Sequence, residues 1–203
     1  MKRLFVDCDD VLLDFLTEFN KFAGFPEGYV PDSFAWGGCP EIKEQIDTFL
    51  AKQELLSPLD GAREYLLEAQ KLGWTVTIIT AYPEKYADTR LKNLSEARIP
   101  YSSIIFTTQQ SGTLNKADII NDIAKHSPVH FVDDKLGAVN DLILKRKILC
   151  TGASVDVAYN QNCVKILQNT PILERRVGLA HGTTPAQASK GLYATSLRFL
   201  ERQ

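Results

Sequence analysis

Cysteine is scarce in this chain, which has four cysteines among its 203 residues. A count this low in a chain this long argues against the disulfide framework of a small secreted domain. The four also lack the close pairing in sequence that is typical of zinc ligands. They are Cys8, Cys39, Cys150 and Cys163. We therefore expect a reduced protein of the cytoplasm.

Long apolar runs and a strong excess of either charge are also missing. No apolar run approaches the ~20 residues of a transmembrane helix, and acidic residues follow the first apolar run too closely for a signal peptide. The formal net charge is -2, which argues against broad binding to nucleic acid or to acidic membranes. With 44% hydrophobic residues, the chain can bury the core of one domain plus an insertion, or of two small domains.

Short β-branched or aromatic runs recur along the chain between turn residues, and each predicts a strand. They lie at residues 2–7, 75–80, 103–107, 129–133 and 147–151. Helical patterns lie between them, at residues 61–72, 83–98, 116–126 and 135–145. This alternation predicts an α/β fold: a Rossmann-like parallel sheet with helices on both faces and right-handed crossovers.

Residues 14–57 interrupt the alternation, because no strand pattern separates the first strand from the helix that should follow it. They are rich in aromatic residues, namely Phe15, Phe19, Phe22, Phe25, Tyr29, Phe34, Trp36 and Phe49. We expect a small helical cap above the carboxyl edge of the sheet. Most of these rings are expected to form a core of their own, while a cap at this place can also close over a substrate and exclude water.

Two carboxylates, Asp7 and Asp9, directly follow the first predicted strand. In a parallel sheet the carboxyl end of a strand faces the ligand crevice, so both side chains are expected where a substrate binds. Acids this close repel each other unless a cation neutralises them. The pair therefore indicates a site that holds a divalent metal and offers one carboxylate as a nucleophile.

Other strand ends and helix starts carry polar residues suited to phosphate or metal. Thr80 ends the second predicted strand, and with the backbone amide of Ala81 it suits a phosphate oxygen. Lys116 opens a helix and would neutralise phosphate charge. Asp133 and Asp134 are again acids at a strand end. Taken singly, each has an ordinary alternative as a capping residue or a solvated charge, but the ordered set favours a catalytic site.

This order resembles the four motifs of the haloacid dehalogenase (HAD) superfamily, and specifically of its phosphatases. The motifs match Asp7-Cys8-Asp9-Asp10-Val11, Thr80, Lys116 and Asp133-Asp134. The acid at Asp9 matters most, because the phosphotransfer members of the superfamily have it and the dehalogenases lack it. Two positions depart from the pattern: Asp10 stands where glycine is usual, and Val11 stands where threonine is common.

The resemblance implies a division of the chain into a core, a cap and an extension. The HAD-like α/β core would comprise residues 1–13 and 58–174, and the helical cap residues 14–57. Residues 175–203 run past the expected core as a helical extension. A helix predicted at 186–201 either packs on the outer layer of the sheet or forms a homodimer contact.

Within the superfamily, the chain is most similar to the 5'(3')-deoxyribonucleotidase and 5'-nucleotidase type. The similarity lies in the runs at 7–15, 57–62 and 132–135. This type implies a nucleoside monophosphate as the substrate, and flat rings of the cap are suited to stack on its base. The candidate rings are Phe15, Phe19 and Trp36.

The resemblance also implies a mechanism that uses magnesium. Asp7 would attack phosphorus and form an aspartyl-phosphate, while Asp9 would protonate the leaving oxygen and then activate water. Thr80 and Lys116 would hold the phosphoryl oxygens. The implied magnesium ligands are Asp7, the backbone carbonyl of Asp9, Asp133 and Asp134.

Other functions stay open at this point. A receiver-type signalling domain also uses acids, a threonine and a lysine, but its lysine comes last, whereas Asp133 follows Lys116 here. A non-catalytic binding module would usually have lost Asp9 or the lysine. Among phosphatases, another small phosphorylated metabolite or a nucleic-acid end is an alternative substrate, although the net charge disfavours nucleic acid.

Overall fold

The computed structural model describes residues 1–30, 40–52, 55–109, 112–146 and 150–202 of the chain. Within these ranges the strands are β1 (Lys2–Val6), β2 (Trp74–Pro83), β3 (Ser103–Gln109), β4 (Gly112–Thr113), β5 (Val129–Val132), β6 (Cys150–Asp156) and β7 (Val177–His181). The helices are α1 (Phe15–Ala23), α2 (Pro40–Lys52), α3 (Ala62–Lys71), α4 (Ala87–Glu96), α5 (Lys116–Ala124), α6 (Leu136–Lys145), α7 (Gln161–Gln168), α8 (Pro171–Glu174) and α9 (Pro185–Glu201). None of the described helices is long and apolar enough to cross a membrane.

The strands form one sheet in the order β4-β3-β2-β1-β5-β6-β7. Neighbouring strands are parallel except β3 and β4, which form a short antiparallel pair at one edge. β1 lies between β2 and β5, so Val6 is level with Ile78 on one side and Val132 on the other. The predicted parallel α/β sheet is confirmed. The chain order reverses at β1, and such a switch point opens a crevice at the carboxyl ends of the strands.

Helices cover both faces of this sheet. One buried cluster contains Leu66 of α3 and Leu192 of α9, and the other contains Ile120 of α5 and Leu142 of α6. Because both faces are covered, residues 4–6 of β1 are apolar and buried without alternation. A strand of this kind reads as a continuous hydrophobic run, as the sequence indicated.

β2 ends at Pro83 rather than at residue 80. Pro83, expected in the first turn of a helix, pairs with Thr108 of β3 instead. Its φ of -63° suits a helix, but its ψ of 129° is extended. A proline also disfavours the helical region for the residue before it, here Tyr82. A 3-10 turn at Glu84–Tyr86 then leads into α4.

β6 begins near the end of the run predicted at 147–151 and continues beyond it, while residues 147–149 lie outside the described part of the chain. The centre of β6 is made of small residues, which lack the β-branched signature of a strand. A Cβ on Gly152 would lie 2.4 Å from Val139 Cγ1 and 2.9 Å from the Phe131 carbonyl oxygen. Close packing of α6 on the sheet therefore requires glycine here, and this requirement hid the part of the strand beyond residue 151.

The C-terminal segment contributes to the core rather than running past it. Residues 177–181, expected in a helical extension, form β7 and pair with β6. The predicted C-terminal helix is α9, and it packs on the outer layer of the sheet with Leu192, Tyr193 and Leu200 buried. The edge strand was missed because it is short and includes a glycine.

Residues 14–57 contain two described helices, α1 and α2, whose aromatic rings pack together. The centroid of the Phe19 ring lies 5.9 Å from that of Phe15, 5.5 Å from that of Phe49 and 6.4 Å from that of Phe25. Phe19 is fully buried among them. The insertion therefore has the small aromatic core that its composition indicates.

The incoming and outgoing segments of this insertion run side by side. The Asp14 amide donates to the Ser57 carbonyl at 2.9 Å, and the Leu59 amide donates to the Leu12 carbonyl at the same distance. The insertion thus leaves the core and returns to it at one place, directly after the acid pair.

Candidate active site

The segment after β1 brings the acid pair to the carboxyl edge of the sheet. The Asp7 amide donates to the Val132 carbonyl at 2.8 Å, which continues the pairing of β1 with β5. The Asp7 carboxylate is buried and accepts from the Cys8 amide at 2.8 Å. The side chain of Asp9 is 25% exposed and lines a cleft at this edge. The two acids therefore share the edge but not the same degree of burial.

Lys116, the first residue of α5, forms two ion pairs with site acids. Its Nζ lies 2.9 Å from Asp7 Oδ1 and 2.7 Å from Asp133 Oδ2. Burial lowers the pKa of the ammonium group, but the carboxylates of Asp133 and Asp7 outweigh burial and hold this pKa above its ordinary value. Lys116 is thus a fixed cation that joins the acids of two neighbouring strands.

The turn at Asp133 and Asp134 is held by side chains that follow it from β6 and beyond. Ser154 Oγ donates to the Asp133 carbonyl at 2.7 Å. Asn160 Nδ2 donates to the Asp134 carbonyl at 2.6 Å, and the Tyr159 hydroxyl donates to Asp134 Oδ2 at 2.7 Å. Sequence reasoning missed these three supporting residues, since they belong to no motif and depend on the fold to reach the turn.

Asp7, Asp133 and Asp134 form a group whose chemistry fits a divalent metal ion. Each offers one carboxylate oxygen, and the three oxygens lie within 4.8 Å of one another. Oxygen ligands of magnesium and calcium lie about 2.0–2.6 Å from the ion, so one ion can contact all three. Burial raises the pKa of Asp134 well above its usual value, and Asp133 adds to this effect. A bound cation would offset the repulsion among these acids.

Thr80 lies two residues beyond the last pair of β2 with β1, inside a strand rather than before a helix as expected. It is fully buried, and its Oγ1 accepts from the Tyr82 amide at 3.1 Å. The Thr107 hydroxyl donates to the Thr80 carbonyl at 3.2 Å. Ala81 lines the cleft. The hydroxyl is thus fixed close to the cleft wall, with its own proton still available to donate.

Asp10, where the resemblance leads one to expect glycine, has a backbone φ of 57°. This is the left-handed region, which glycine favours and aspartate tolerates better than most residues. The Asp10 carboxylate accepts from the Leu16 amide at 2.8 Å and so caps the first turn of α1. Burial raises the pKa of Asp10 well above its usual value, while the Leu16 amide opposes the rise. Asp10 therefore connects the acid segment to the insertion.

Arg90 of α4 is a buried neighbour of the acid pair that the motifs did not reveal. Its Nη2 lies 2.5 Å from Asp9 Oδ1, and its Nη1 donates to Cys8 Sγ at 3.4 Å. Its Cζ lies 4.1 Å from the centroid of the Tyr82 ring. A signal was present in the helical pattern, because Arg90 shares the buried face of α4 with Leu94. A charged residue on such a face needs a partner.

The cleft beside the acids has a volume of about 230 Å³, and two chemically different sets of residues line it. The charged lining is Asp7, Asp9, Asp10, Asp134 and Lys135. The apolar lining is Phe15, Ile46, Leu50, Ala81, Tyr82 and Pro83. The cleft therefore offers both charged groups and apolar surface to a ligand.

Of the three rings considered for substrate contact, one lines the cleft. Phe15 is part of its apolar lining. Phe19 is fully buried in the core of the insertion, so the structure does not support direct substrate contact for it, because the same ring is needed to fill that core. Trp36 lies outside the described residues.

No protein-family model matches the chain, and no curated protein sequence matches it either. Solved structures do match. A HAD family hydrolase from Deinococcus radiodurans with bound phosphate and sodium is 13% identical, with a TM-score of 0.57 over 97% of each chain. A HAD hydrolase of family IA, variant 3, from Entamoeba histolytica is 14% identical, with a TM-score of 0.56 over 100% of each chain.

A phosphonoacetaldehyde hydrolase-like protein from Oleispira antarctica is 15% identical, with a TM-score of 0.52 over 99% of this chain and 94% of its own. At such identities the likeness shows the fold. The α/β architecture of this chain is therefore the HAD-like one predicted from its motifs.

Proposed function

We propose that this chain is a magnesium-dependent phosphomonoester hydrolase of the HAD superfamily, which works through an aspartyl-phosphate and acts on nucleoside monophosphates. The observation that carries the proposal is the contact of Lys116 with both Asp7 and Asp133 at the carboxyl edge of the sheet. Three motif residues far apart in sequence meet there, with Asp9 beside them. The solved structures of similar fold, which are HAD hydrolases, support the same class of reaction.

Asp7 is the nucleophile in this proposal. Both the Cys8 amide and Lys116 contact its Oδ1, which leaves Oδ2 to attack phosphorus. The new Asp7–phosphorus bond forms as the ester bond breaks, and Asp9 gives its proton to the leaving oxygen. Asp9 then takes a proton from the water that hydrolyses the aspartyl-phosphate, which releases phosphate and restores both acids.

Positive charge and hydrogen-bond donors support the transferring group. Lys116, the Thr80 hydroxyl and the amide of Ala81 would hold its oxygens, because phosphoryl transfer depends mainly on positioning and charge stabilisation. Asp7, Asp133 and Asp134, with the backbone carbonyl of Asp9, would hold magnesium. When bound, the ion supplies positive charge that offsets the negative charge of the phosphoryl oxygens.

The apolar lining of the cleft supports a flat, weakly polar substituent such as a nucleoside. Phe15 is part of that lining, and stacking of a base on an aromatic ring contributes about 1–3 kcal/mol. If Phe15 stacks on the base, Phe15→Ala raises KM for nucleoside monophosphates more than KM for a small aryl phosphate. Equal changes in both KM values would assign Phe15 to the core of the insertion alone.

The test of the proposed function is phosphate release from a panel of monoesters, with and without magnesium. The panel contains deoxy- and ribonucleoside monophosphates, sugar phosphates and an aryl phosphate. Asp7→Asn is the inactive reference, and Asp122→Asn, an exposed aspartate of α5, is the matched control. Preference for nucleoside monophosphates supports the whole proposal. Turnover of the aryl phosphate alone keeps the phosphatase and removes the nucleotide, while no turnover of any ester contradicts it.

A further inference from the structure

Arg90 is a fully buried cation, and an arginine in such a place must be paired. Among the described residues, Asp9 is the one acidic side chain in an ion pair with it, at 2.5 Å. Moving a guanidinium out of water is costly unless its partner is well placed, and removing one partner of a buried pair is strongly destabilising. The position of Asp9 is therefore tied to the position of Arg90.

The contacts of Arg90 fix the plane of its guanidinium group. One nitrogen contacts Asp9 and another contacts Cys8 Sγ, so the guanidinium spans two consecutive residues of the acid segment. The Tyr82 ring lies under the guanidinium carbon at 4.1 Å, and the Tyr82 hydroxyl donates to the Leu50 carbonyl of α2. A planar group with three such contacts has little freedom to rotate.

The pairing uses only one oxygen of Asp9. Arg90 binds Oδ1, and the described residues offer Oδ2 no hydrogen bond. Asp9 is at the same time part of the cleft. Arg90 thus holds the Asp9 carboxylate by Oδ1, while Oδ2 remains for the reacting group.

We infer that Arg90 is a positioning residue for Asp9: it holds one oxygen of the Asp9 carboxylate so that the other faces the leaving oxygen and then the hydrolytic water. This inference rests on the proposed function and deepens it. Arg90 itself does not touch the substrate in this arrangement, so its effect passes through Asp9.

The two half-reactions depend on Asp9 to different degrees, and this difference makes the inference testable. With p-nitrophenyl phosphate, the leaving p-nitrophenolate departs without needing a proton, so Asp7 can still be phosphorylated when Asp9 is misplaced. Breakdown of the aspartyl-phosphate still needs Asp9 to take a proton from water. A variant that loses only Asp9 positioning should therefore accumulate the phosphorylated protein.

The experiment is stopped-flow release of p-nitrophenolate by wild type and Arg90→Met with magnesium. We expect Arg90→Met to give a burst of one p-nitrophenolate per folded site, followed by a steady rate about 10- to 100-fold below wild type. Arg90→Lys, which keeps the charge but loses the planar fork, should recover part of the steady rate. Thermal melting gives the folded fraction of each variant, and each rate is divided by that fraction.

Arg146→Lys is the matched control, since Arg146 is also buried but donates to the backbone carbonyls of Ala124, Lys125 and Ser127. It should lower the melting temperature without a burst. If Arg90→Met does not fold, the comparison moves to Arg90→Lys in wild-type and Asp9→Asn backgrounds. If Arg90 acts through Asp9, Arg90→Lys should lower the steady rate in the wild-type background. In the Asp9→Asn background it should change that rate less than about twofold.

A folded Arg90→Met variant with no burst, or with an unchanged steady rate, would overturn the inference, as would equal rate losses from Arg90→Lys in both backgrounds. If the wild type is active, any of these results overturns the inference and leaves the proposed function intact. Absence of turnover in wild type would overturn the proposed function and this inference together.

Discussion

The two acids of the first motif differ in their partners although one residue separates them. Asp7 is buried against Lys116, whereas Asp9 is partly exposed and paired with Arg90. Burial raises the pKa of Asp9, while Arg90 opposes the rise and Asp7 adds to it. Unequal surroundings of this kind suit the proposed mechanism, in which one carboxylate attacks and the other carries a proton.

Amide substitutions should separate these roles. Asp7→Asn removes the charge of the proposed attacking group, so we expect no turnover from a protein that still folds, since Lys116 keeps its ion pair with Asp133. Asp9→Asn removes the proposed proton carrier, which should lower kcat roughly 10²- to 10⁴-fold. Metal affinity should change little in Asp9→Asn, because the metal contact expected there is backbone. Phosphate release and magnesium titration by calorimetry measure both effects.

Substantial turnover in Asp7→Asn would remove Asp7 as the nucleophile. A loss of metal affinity in Asp9→Asn as large as that in Asp133→Asn would instead make the Asp9 side chain a metal ligand.

His130 is a second residue whose surroundings set its behaviour. It is fully buried, and its Nδ1 lies 2.8 Å from Thr151 Oγ1. Burial lowers its pKa from 6.5 to about 3. Between these values the unfolded chain binds a proton at this ring and the folded chain does not. Stability should therefore fall as pH falls below 6.5, by up to about 1.4 kcal/mol per pH unit from this residue.

Urea unfolding between pH 4 and pH 8 checks this expectation for wild type and His130→Gln. The difference between their unfolding free energies should shrink or reverse as pH falls, because the variant has no proton to exclude. His126→Gln, at an exposed position, should keep the wild-type pH dependence. Parallel curves for wild type and His130→Gln would contradict the assignment.

At the scale of elements, α1 depends on a residue outside it. Asp10 adopts a left-handed backbone conformation and caps the Leu16 amide, whereas Asp14 caps the Thr17 amide from an ordinary position. Asp10→Ala loses both a cap and a residue that tolerates φ of 57°. It should therefore lower the free energy of unfolding by about 2–3 kcal/mol. Asp14→Ala loses only a cap, at about 1 kcal/mol.

Denaturant unfolding of the two variants measures this contrast, and Asp10→Asn should retain most of the stability because asparagine keeps an acceptor and tolerates the backbone. Equal losses in Asp10→Ala and Asp14→Ala would mean that the backbone at residue 10 relaxes without strain.

Elements with a regular hydrophobic pattern could be predicted, and elements shaped by close packing could not. β1, α3 and α5 follow the sequence pattern within a few residues. β6 was predicted only as far as residue 151, since the approach of α6 selects glycine at residue 152. Pro83 has a φ that suits a helix and a strand alike, and only its pairing with β3 decides between them.

At the scale of the whole molecule, the last helix supports the first loop. The Tyr193 hydroxyl of α9 donates to the Val11 carbonyl, and the Tyr193 ring stacks on Tyr65 of α3 at 4.9 Å. Tyr193→Phe leaves a buried carbonyl without its donor, which should destabilise by about 1–3 kcal/mol. Because Val11 follows the acid pair, kcat should fall as well.

Tyr65→Phe is the matched control, since its hydroxyl bonds to Ser196 at 2.7 Å rather than to the loop. We expect a comparable loss of stability from both variants and a loss of kcat from Tyr193→Phe alone, measured on folded protein. Equal kcat values for the two variants would show that the loop keeps its shape without this bond.

The distribution of the site over the molecule also explains which of its residues the sequence could predict. Asp7, Lys116 and Asp133 lie at positions that a strand or helix end marks, and the structure brings them into contact. Arg90 and Tyr159 reach the site only through the packing of α4 and of the segment after β6. The helical pattern of α4 places Arg90 on a buried face, but no local pattern records which distant residue it contacts.

The paired hydrogen bonds at residues 12–14 and 57–59 hold the two ends of the insertion side by side. Two chain ends that already lie side by side can be joined by a short turn at little entropic expense. A hairpin linker in place of the insertion would therefore close the chain easily, but it would uncover Leu13 and Leu94, which share one buried cluster with Phe19 and Phe49 of the insertion. The junction thus favours a change in the length of the segment, whereas the shared core restricts a change in the rings that fill it.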